Sequence, residues 1–326
     1  MLKKVVYELP DVQSSKSLVN LSIKRVGIEG VKRHILRERE GQYRELNTVI
    51  DAYVDLGALS RGIHMSRCLE VIDEVIQSAG QKKIVDTEGL CASLARRLLE
   101  RQEAATRAEI NLRADYYLPR KTPTTDIDIQ SLYELFAKAV ATKNGNEVSL
   151  RKTIGVEVFG ITICPCAQQL VKQYAAEKLS EEGVSEEVIN KVLKVVPFAS
   201  HNQRGKGTLC VETDEDFRVE ADVLIDIVEN SMSAPIYELL KRPDEQTLVI
   251  KAHSNPQFVE DVVRLILKGF YNRYGDKLPD DTVILARQVN FESIHLHNAF
   301  AETITTLGEL KKDLEKSENN TRLDEV

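Results

Sequence analysis

The sequence predicts an α+β protein made of two related halves, each combining antiparallel hairpins with a pair of helices. Three observations carry this. Apolar residues alternate with period two in several stretches and recur with period 3.6 in others. Asn144-Gly145 lies between two alternating stretches and signals a tight hairpin, because its central residues must tolerate positive φ. Lys121-Thr122-Pro123-Thr124-Thr125 reads as a linker with similar element patterns on either side, although no repeated motif is strong enough to prove duplication. At 326 residues and 42% apolar composition, the chain can bury a sizeable core as two domains or one duplicated domain. The expected division is 1–120, then 121–310 with a helical insert at about 167–199, then a polar tail at 311–326.

Residues 1–16 read as a mixed leader. Val19, Leu21 and Ile23 begin a strand pattern within 17–37 that Gly27 and Gly30 interrupt, and Leu46 to Leu56 alternates again. Gly62-Ile63-His64-Met65-Ser66-Arg67 leads into a helix through Leu69, Ile72, Val75 and Ile76, expected to stop at Gly80. Asp86 is placed to cap a second helix running to about 104. Ala108 to Tyr117 is a strand. Beyond the linker, Leu132 to Thr142 and Val148 to Cys164 form the hairpin around Asn144-Gly145. Helices follow at about 167–181 and 185–195, the second capped by Ser185 with Glu186 and Glu187 in its first turn. A strand at 207–214, a helix at about 220–232 and a strand at about 282–291 complete the regular pattern. Asn255-Pro256 is expected to open a further helix, asparagine as cap and proline at the first position. The tail from Lys311 is charged and is expected to be at least partly disordered.

Composition narrows the function. A net charge of −7 argues against general attraction to nucleic acid or anionic membrane, so an anionic substrate would need a local cationic pocket. No apolar run reaches the roughly 18 residues of a membrane span. Glu8 and Pro10 come too early for a signal-peptide apolar core, so a cytoplasmic location is expected. Five cysteines in such a compartment argue against a disulfide framework. Cys68, Cys91 and Cys210 sit in apolar patterns that suit buried thiols.

Cys164 and Cys166 differ, because Cys164-Pro165-Cys166 brings two thiols together where a strand turns into a helix. Pro165 suits the first helical position and makes Cys164 the capping residue, next to unpaired N–H groups and the positive dipole end, conditions that favour a thiolate. Cys166 is rotated by about 200° and faces elsewhere. The alternative is two half-buried thiols in a tight turn. His201 stands in Ser200-His201-Asn202-Gln203-Arg204-Gly205-Lys206, a polar, cationic run that makes poor core and a good anion or amide cradle; an exposed polar loop is the bland alternative. Lys241-Arg242-Pro243-Asp244-Glu245 carries a carboxylate able to ligate a metal, or simply a solvated charge run. Glu260 lies among apolar residues near a helix start, where a carboxylate needs a partner or ligand. Glu292, His295 and His297 bring three possible ligands into six residues of a chain with six histidines. In a helix Glu292 and His295 would share a face; in a strand His295 and His297 would. One thiol, histidines and carboxylates together suggest a divalent transition metal such as Zn²⁺ or Fe²⁺ and metal-assisted hydrolysis.

These motifs, in this order, resemble those of the type IB GTP cyclohydrolases. The resemblance rests on Cys164-Pro165-Cys166, Ser200 to Arg204, Lys241 to Glu245, Phe258-Val259-Glu260-Asp261 and Phe291 to His295, joined by Asp11-Val12-Gln13 and Gly62 to Arg67. It spans nearly the whole chain. The Cys-Pro-Cys-Ala-Gln form and the 36-residue helical stretch between Cys164 and His201 resemble the archaeal branch of that family. The resemblance implies a tunnelling fold: antiparallel sheets each backed by two helices, two modules per chain, assembled as a homodimer or homotetramer with interfacial active sites. It implies a metal surrounded by Cys164, His201, Glu245 and Glu292, with His295 beside it for proton transfer and Glu260 anchoring the guanine edge. Arg204, Lys241, His64 and Arg67 are expected at the triphosphate, on charge type. The implied metal is Fe²⁺, with Zn²⁺ or Mn²⁺ able to substitute. The implied reaction is hydrolytic opening of GTP with release of formate. The archaeal branch forms 7,8-dihydroneopterin 2′,3′-cyclic phosphate for methanopterin, the bacterial branch 7,8-dihydroneopterin triphosphate for folate. The insert favours the former.

Two other readings compete. A nitrile reductase of deazaguanine metabolism on the same fold would need NADPH, but no Gly-rich phosphate loop follows a strand. A non-catalytic metal-binding or scaffold protein would have lost motif residues, but all are present.

Overall fold

The alternating stretches of the first half become β1 (Ile23–Arg39) and β2 (Gln42–Leu56), paired antiparallel from Ile23 opposite Leu56. The computed structural model describes residues 11–13, 15–39, 42–82 and 86–324; most of the expected leader and the end of the tail lie outside the described residues. By contacts the chain divides into two units, one up to residue 114 with 136–153, the other of 115–135 with the chain from 154 onward. In the first, helices α1 (Met65–Lys82) and α2 (Thr87–Arg101) pack on each other. Asp86 caps α2 as expected, its carboxylate accepting from the Gly89 N–H. β2 pairs antiparallel with the start of β3 (Arg107–Lys121), Val54 opposite Ala108. The apolar positions Ile50, Val54, Leu94, Leu98, Ile110 and Leu112 are buried. β4 (Asp128–Asn144) and β5 (Glu147–Ile163) meet at the expected turn, where Gly145 takes a φ of 64°.

The second unit continues from β5 into α3 (Pro165–Glu181), α4 (Glu186–Val195), β6 (Asn202–Asp214) and α5 (Ala221–Ser231). The short β7 (Ala234–Pro235), α6 (Arg242–Ser254), α7 (Val259–Tyr274), β8 (Val283–Asn290), β9 (Ala299–Thr306) and α8 (Leu307–Asp324) complete it. With the parts of β3 and β4 that fall in this unit, its strand order is β3-β4-β5-β6-β8-β9, with β7 added on β5, and the β6–β8 and β8–β9 pairs are antiparallel. α5 and α7 pack together, burying Leu224, Ile225 and Val228 from one and Val262, Ile266 and Phe270 from the other. An antiparallel sheet with a helix pair in each unit is the α+β arrangement expected from the sequence, and it agrees with the tunnelling fold that the resemblance implies. Among the described residues no helix is long and apolar enough to cross a membrane.

Several local expectations change. α1 runs through Gly80 to Lys82. Ser185 precedes α4, but its hydroxyl makes no capping bond. Asn255 ends α6 instead of opening a helix, because its side-chain N–H₂ donates to the carbonyls of Met232 and Ser233. α7 starts later, with the Asp261 carboxylate accepting from the Phe258 N–H at 3.3 Å. Lys241 to Glu245 is the start of α6, with Pro243 in its first turn, where a missing N–H costs nothing. The tail is helical as α8 through Asp324.

Asp244 explains how α6 is anchored. It is fully buried, and its two carboxylate oxygens accept four bonds: from Thr124 N–H (2.9 Å), Thr125 N–H (2.8 Å), Thr125 O–H (2.7 Å) and Lys241 N–H (2.9 Å). Burial pushes the carboxyl pKa up, but these bonds, the Thr125 hydroxyl first, outweigh burial and hold it well below the usual carboxylate range. A depressed folded pKa stabilises above the unfolded value of about 3.9, and that stability is lost as pH falls through the folded pKa. Asp244→Asn is therefore expected to lower Tm at pH 7. Its deficit relative to wild type should narrow in melts below about pH 4; a constant deficit down to pH 3 would contradict the assignment.

Candidate active site

The elements that end near one another at one side of the second unit's sheet bring the reactive residues into one cleft. It has a volume of about 300 Å³ and is lined by Cys164, His201, Gln203, Gln257, Phe258, Glu260, Asn290, Glu292, His295 and His297, among others. Cys164 is the N-cap of α3, with Pro165 in the first turn, as its sequence context predicts. Its sulfur lies 3.5 Å from the Ala167 nitrogen, and Cys166 is exposed. The cap is fixed from both sides: Cys164 N–H donates to the His201 carbonyl (3.3 Å), and the Ser200 hydroxyl donates to the Cys164 carbonyl (2.7 Å). Gln168, one turn on and buried, donates to the carbonyls of Phe198 and His253, tying α3 to the segment before β6 and to α6.

His201 immediately precedes β6, and its ring is mostly enclosed. Nδ1 lies 3.1 Å from Gln203 Oε1 and 3.6 Å from Glu292 Oε2. Glu292 and the histidines lie in the connection between β8 and β9, which is neither helix nor strand, so neither periodicity argument applied. The Phe291 N–H donates to the Arg204 carbonyl at 2.9 Å and Phe291 stacks on Phe159, which pins the start of this connection. His295 stands edge-on to His201, ring centroids 6.5 Å apart, and stacks on His297 at 5.1 Å. Glu260 is the second residue of α7, exposed at the rim beside the dipole end that favours a carboxylate.

Of the sequence-predicted residues, the cleft gathers Cys164, His201, Glu260, Glu292 and His295. Glu245 does not line it; it is exposed in the first turn of α6. Arg204 and Lys241 are exposed residues of the second unit, outside the lining. His64 and Arg67 belong to the first unit, where His64 Nε2 lies 3.7 Å from Asp11 and Arg67 donates to the Arg101 carbonyl at 3.1 Å. Gln203, Gln257 and Asn290 line the cleft without having been singled out individually. For Gln203 the signal was its place two residues from His201 in the same polar run. Thiol, imidazole and carboxylate form a donor set suited to a divalent transition metal. Among the described residues, however, no three His, Cys, Asp or Glu side chains are gathered into a ready-made metal cage.

An antiparallel sheet backed by helix pairs, with a Cys–His–carboxylate cleft at one side, defines a tunnelling-fold protein equipped for hydrolytic chemistry. The chain belongs to the type I GTP cyclohydrolase family, folE2, whose family model matches residues 9–301. It is 45% identical over 308 residues to GTP cyclohydrolase MptA of Methanobrevibacter smithii, covering 94% of this chain and 98% of the relative. The MptA of Methanothermobacter thermautotrophicus is 42% identical over 308 residues, covering 94% of this chain and 96% of the relative. Among solved structures, the uricase of Bacillus fastidious superposes with a TM-score of 0.51 at 8% identity, covering 89% of this chain and 95% of that one. At that identity the likeness is one of fold alone.

Proposed function

We propose that this chain is a metal-dependent GTP cyclohydrolase that opens the guanine imidazole ring and releases formate. The proposed product is 7,8-dihydroneopterin 2′,3′-cyclic phosphate, formed with loss of pyrophosphate. The observation that carries the reading is the convergence of Cys164, His201, Glu260, Glu292 and His295 on one cleft, in a chain closely related to the MptA cyclohydrolases.

Cys164, His201 and Glu292 are the proposed metal ligands, and Fe²⁺ the proposed ion, with Zn²⁺ or Mn²⁺ able to substitute. Glu245, exposed on α6 and outside the cleft lining, is the fourth ligand that the resemblance implies. The chemistry such an ion supplies when bound is Lewis-acid activation of water for attack at C8 of the purine. Glu260 accepts hydrogen bonds from N1–H and the 2-amino group of guanine, the two donors that one carboxylate can take side by side. His295, beside His201, takes the proton from the attacking water oxygen and returns it to the ring nitrogen as the first C8–N bond breaks. A second water then hydrolyses the remaining C8–N bond, and C8 leaves as formate. Arg204, Lys241, His64 and Arg67 are proposed for the triphosphate on charge type. Assembly as a homodimer or homotetramer is supported by β9, which pairs only with β8 among the described strands and leaves Phe300 and Ile304 exposed.

The test is anaerobic incubation with GTP and Fe²⁺, mass analysis of pterin and formate, and sedimentation of the same preparation. A cyclic-phosphate pterin with formate, absent from Cys164→Ala, is expected. A triphosphate pterin would keep the reaction and move the product to the bacterial type. Intact GTP with Fe²⁺, Mn²⁺ and Zn²⁺ alike would sink the reading, and a monomer in sedimentation would remove the assembly.

A further inference from the structure

We propose that Gln257 is a specificity-determining residue of the cleft: its amide oxygen accepts the N–H of the guanine 2-amino group that Glu260 leaves free. Asn255 is the positioning residue that fixes this orientation. The inference rests on the proposed guanine contact of Glu260 and adds a second reader of the same group.

Two main-chain carbonyls set the direction, because a carbonyl oxygen only accepts. The Asn255 amide lies against both, 3.3 Å from the Met232 carbonyl and 3.4 Å from that of Ser233. An amide oxygen there would face two oxygens with no hydrogen between them, so Asn255 Nδ2 takes that side and donates. Asn255 Oδ1 is thereby turned towards the Gln257 amide, 2.8 Å away. Oxygen against oxygen is excluded again, so Gln257 presents Nε2 there and donates. Neither step depends on the charge of any group.

What Gln257 has left is Oε1. It takes no hydrogen bond among the described residues, and Gln257 lines the cleft together with Phe258 and Glu260. The main chain holds the side chain in place: Gln257 N–H donates to the Ile163 carbonyl (3.0 Å), and Pro256 restricts the backbone between the two amides. Asn255-Pro256, which opens no helix, serves instead to aim Gln257.

The guanine edge carries three N–H groups, one on N1 and two on the 2-amino nitrogen. One carboxylate takes the N1–H and the amino N–H beside it. The other amino N–H points past that pair, towards N3, and an N–H enclosed without an acceptor weakens binding. Gln257 Oε1 is an acceptor of fixed direction on the same segment as Glu260. A neutral oxygen contributes less than a carboxylate, so Glu260 sets the register of the base and Gln257 reads it only with Glu260 in place.

The test is titration calorimetry of the full chain with three nucleotides in which carbon replaces N7, so that none can be opened: 7-deaza-GTP, its 2-methylamino derivative and 7-deaza-ITP. The 2-methylamino derivative keeps the N–H beside N1 and blocks the other. Wild type is expected to bind it about 2–10-fold more weakly than 7-deaza-GTP, the worth of one neutral hydrogen bond. Gln257→Leu is expected to bind these two alike while still preferring both to 7-deaza-ITP through Glu260. Asn255→Ala keeps Gln257 but frees its amide to turn, and its discrimination is expected to fall between the two. The ratio of affinities within one protein cancels a uniform loss of folded molecules, the effect a merely structural role would have. Wild-type discrimination retained in Gln257→Leu would overturn the inference and leave the role of Glu260 standing. So would a wild type that prefers 7-deaza-GTP to 7-deaza-ITP but accepts the 2-methylamino derivative equally. Full discrimination in Asn255→Ala would remove the positioning role of Asn255. Equal affinity of wild type for all three nucleotides, or for none, would overturn the proposed guanine site and this inference with it.

Discussion

Glu260→Ala is expected to lower kcat/KM for GTP by roughly 10²–10⁴-fold while leaving the fold in place. Two hydrogen bonds to a charged group contribute about 1.5–3 kcal/mol each, and every 1.4 kcal/mol is tenfold. The structural cost is small because Glu260 is exposed on the first turn of α7 and no buried partner is orphaned by its loss. The lost charge at a helix start accounts for only about 0.3–1 kcal/mol. The sharper measurement compares GTP with inosine triphosphate, which lacks the 2-amino donor. Wild type should prefer GTP by roughly 10–150-fold, the worth of one such bond, and Glu260→Ala should lose that preference. If the variant still discriminates as wild type does, the guanine edge is read elsewhere and Glu260 is only a helix-start carboxylate.

How far the sequence reached depends on whether a residue's role is local or assembled. Cys164 as a helix cap was legible because the whole device, strand end, Pro165 and helix start, lies within a few residues, and the structure has that cap. Asp86 and the Asn144-Gly145 turn were legible for the same reason. Asn255-Pro256 carried the same kind of local signal and misled. The asparagine side chain is instead bonded to carbonyls of Met232 and Ser233, which are distant in sequence. Tertiary competition for a capping group cannot be seen from its neighbours.

The Phe291–His297 stretch failed differently. Helix and strand periods were weighed, but the segment is an irregular connection whose shape is set by Phe291 on Phe159 and by the Arg204 carbonyl. The nearness of Glu292 to His201 follows from β6 and β8 lying side by side. That pairing brings together residues 91 positions apart and leaves no trace in either segment's own pattern. α6 was hidden for a further reason: its apolar face is narrow, with Leu248 and Ala252 buried, and its start is secured by a buried carboxylate, Asp244.

Ile163→Ala is expected to produce the largest loss of stability among changes near the cleft, because Ile163 supports the site without touching the reaction. Its side chain is fully buried in a cluster with Ala234, Leu248 and Ala252, against which Ile161, Tyr237 and Leu240 pack. Removing that much buried side chain costs about 2–5 kcal/mol. At roughly 2–4 °C per kcal/mol, the drop in Tm should be large enough to read in a simple melt. The backbone extends the consequence to the site. Ile163 N–H donates to the Ser233 hydroxyl (3.1 Å), and its carbonyl accepts from Gln257 N–H (3.0 Å). Cys164 follows directly, so both the thiol cap and the Gln257 wall of the cleft hang from this one residue. Ile163→Val, which keeps most of the packing, should cost only about 0.5–1.5 kcal/mol. Ile294→Ala, on the exposed connection, should stay within about 0.5 kcal/mol of wild type. If activity measured well below the melting point falls in Ile163→Ala but not in Ile294→Ala, the core behind Cys164 sets the geometry of the cleft. Equal melting of the Ile163→Ala and wild-type proteins would show that the cluster bears no such load.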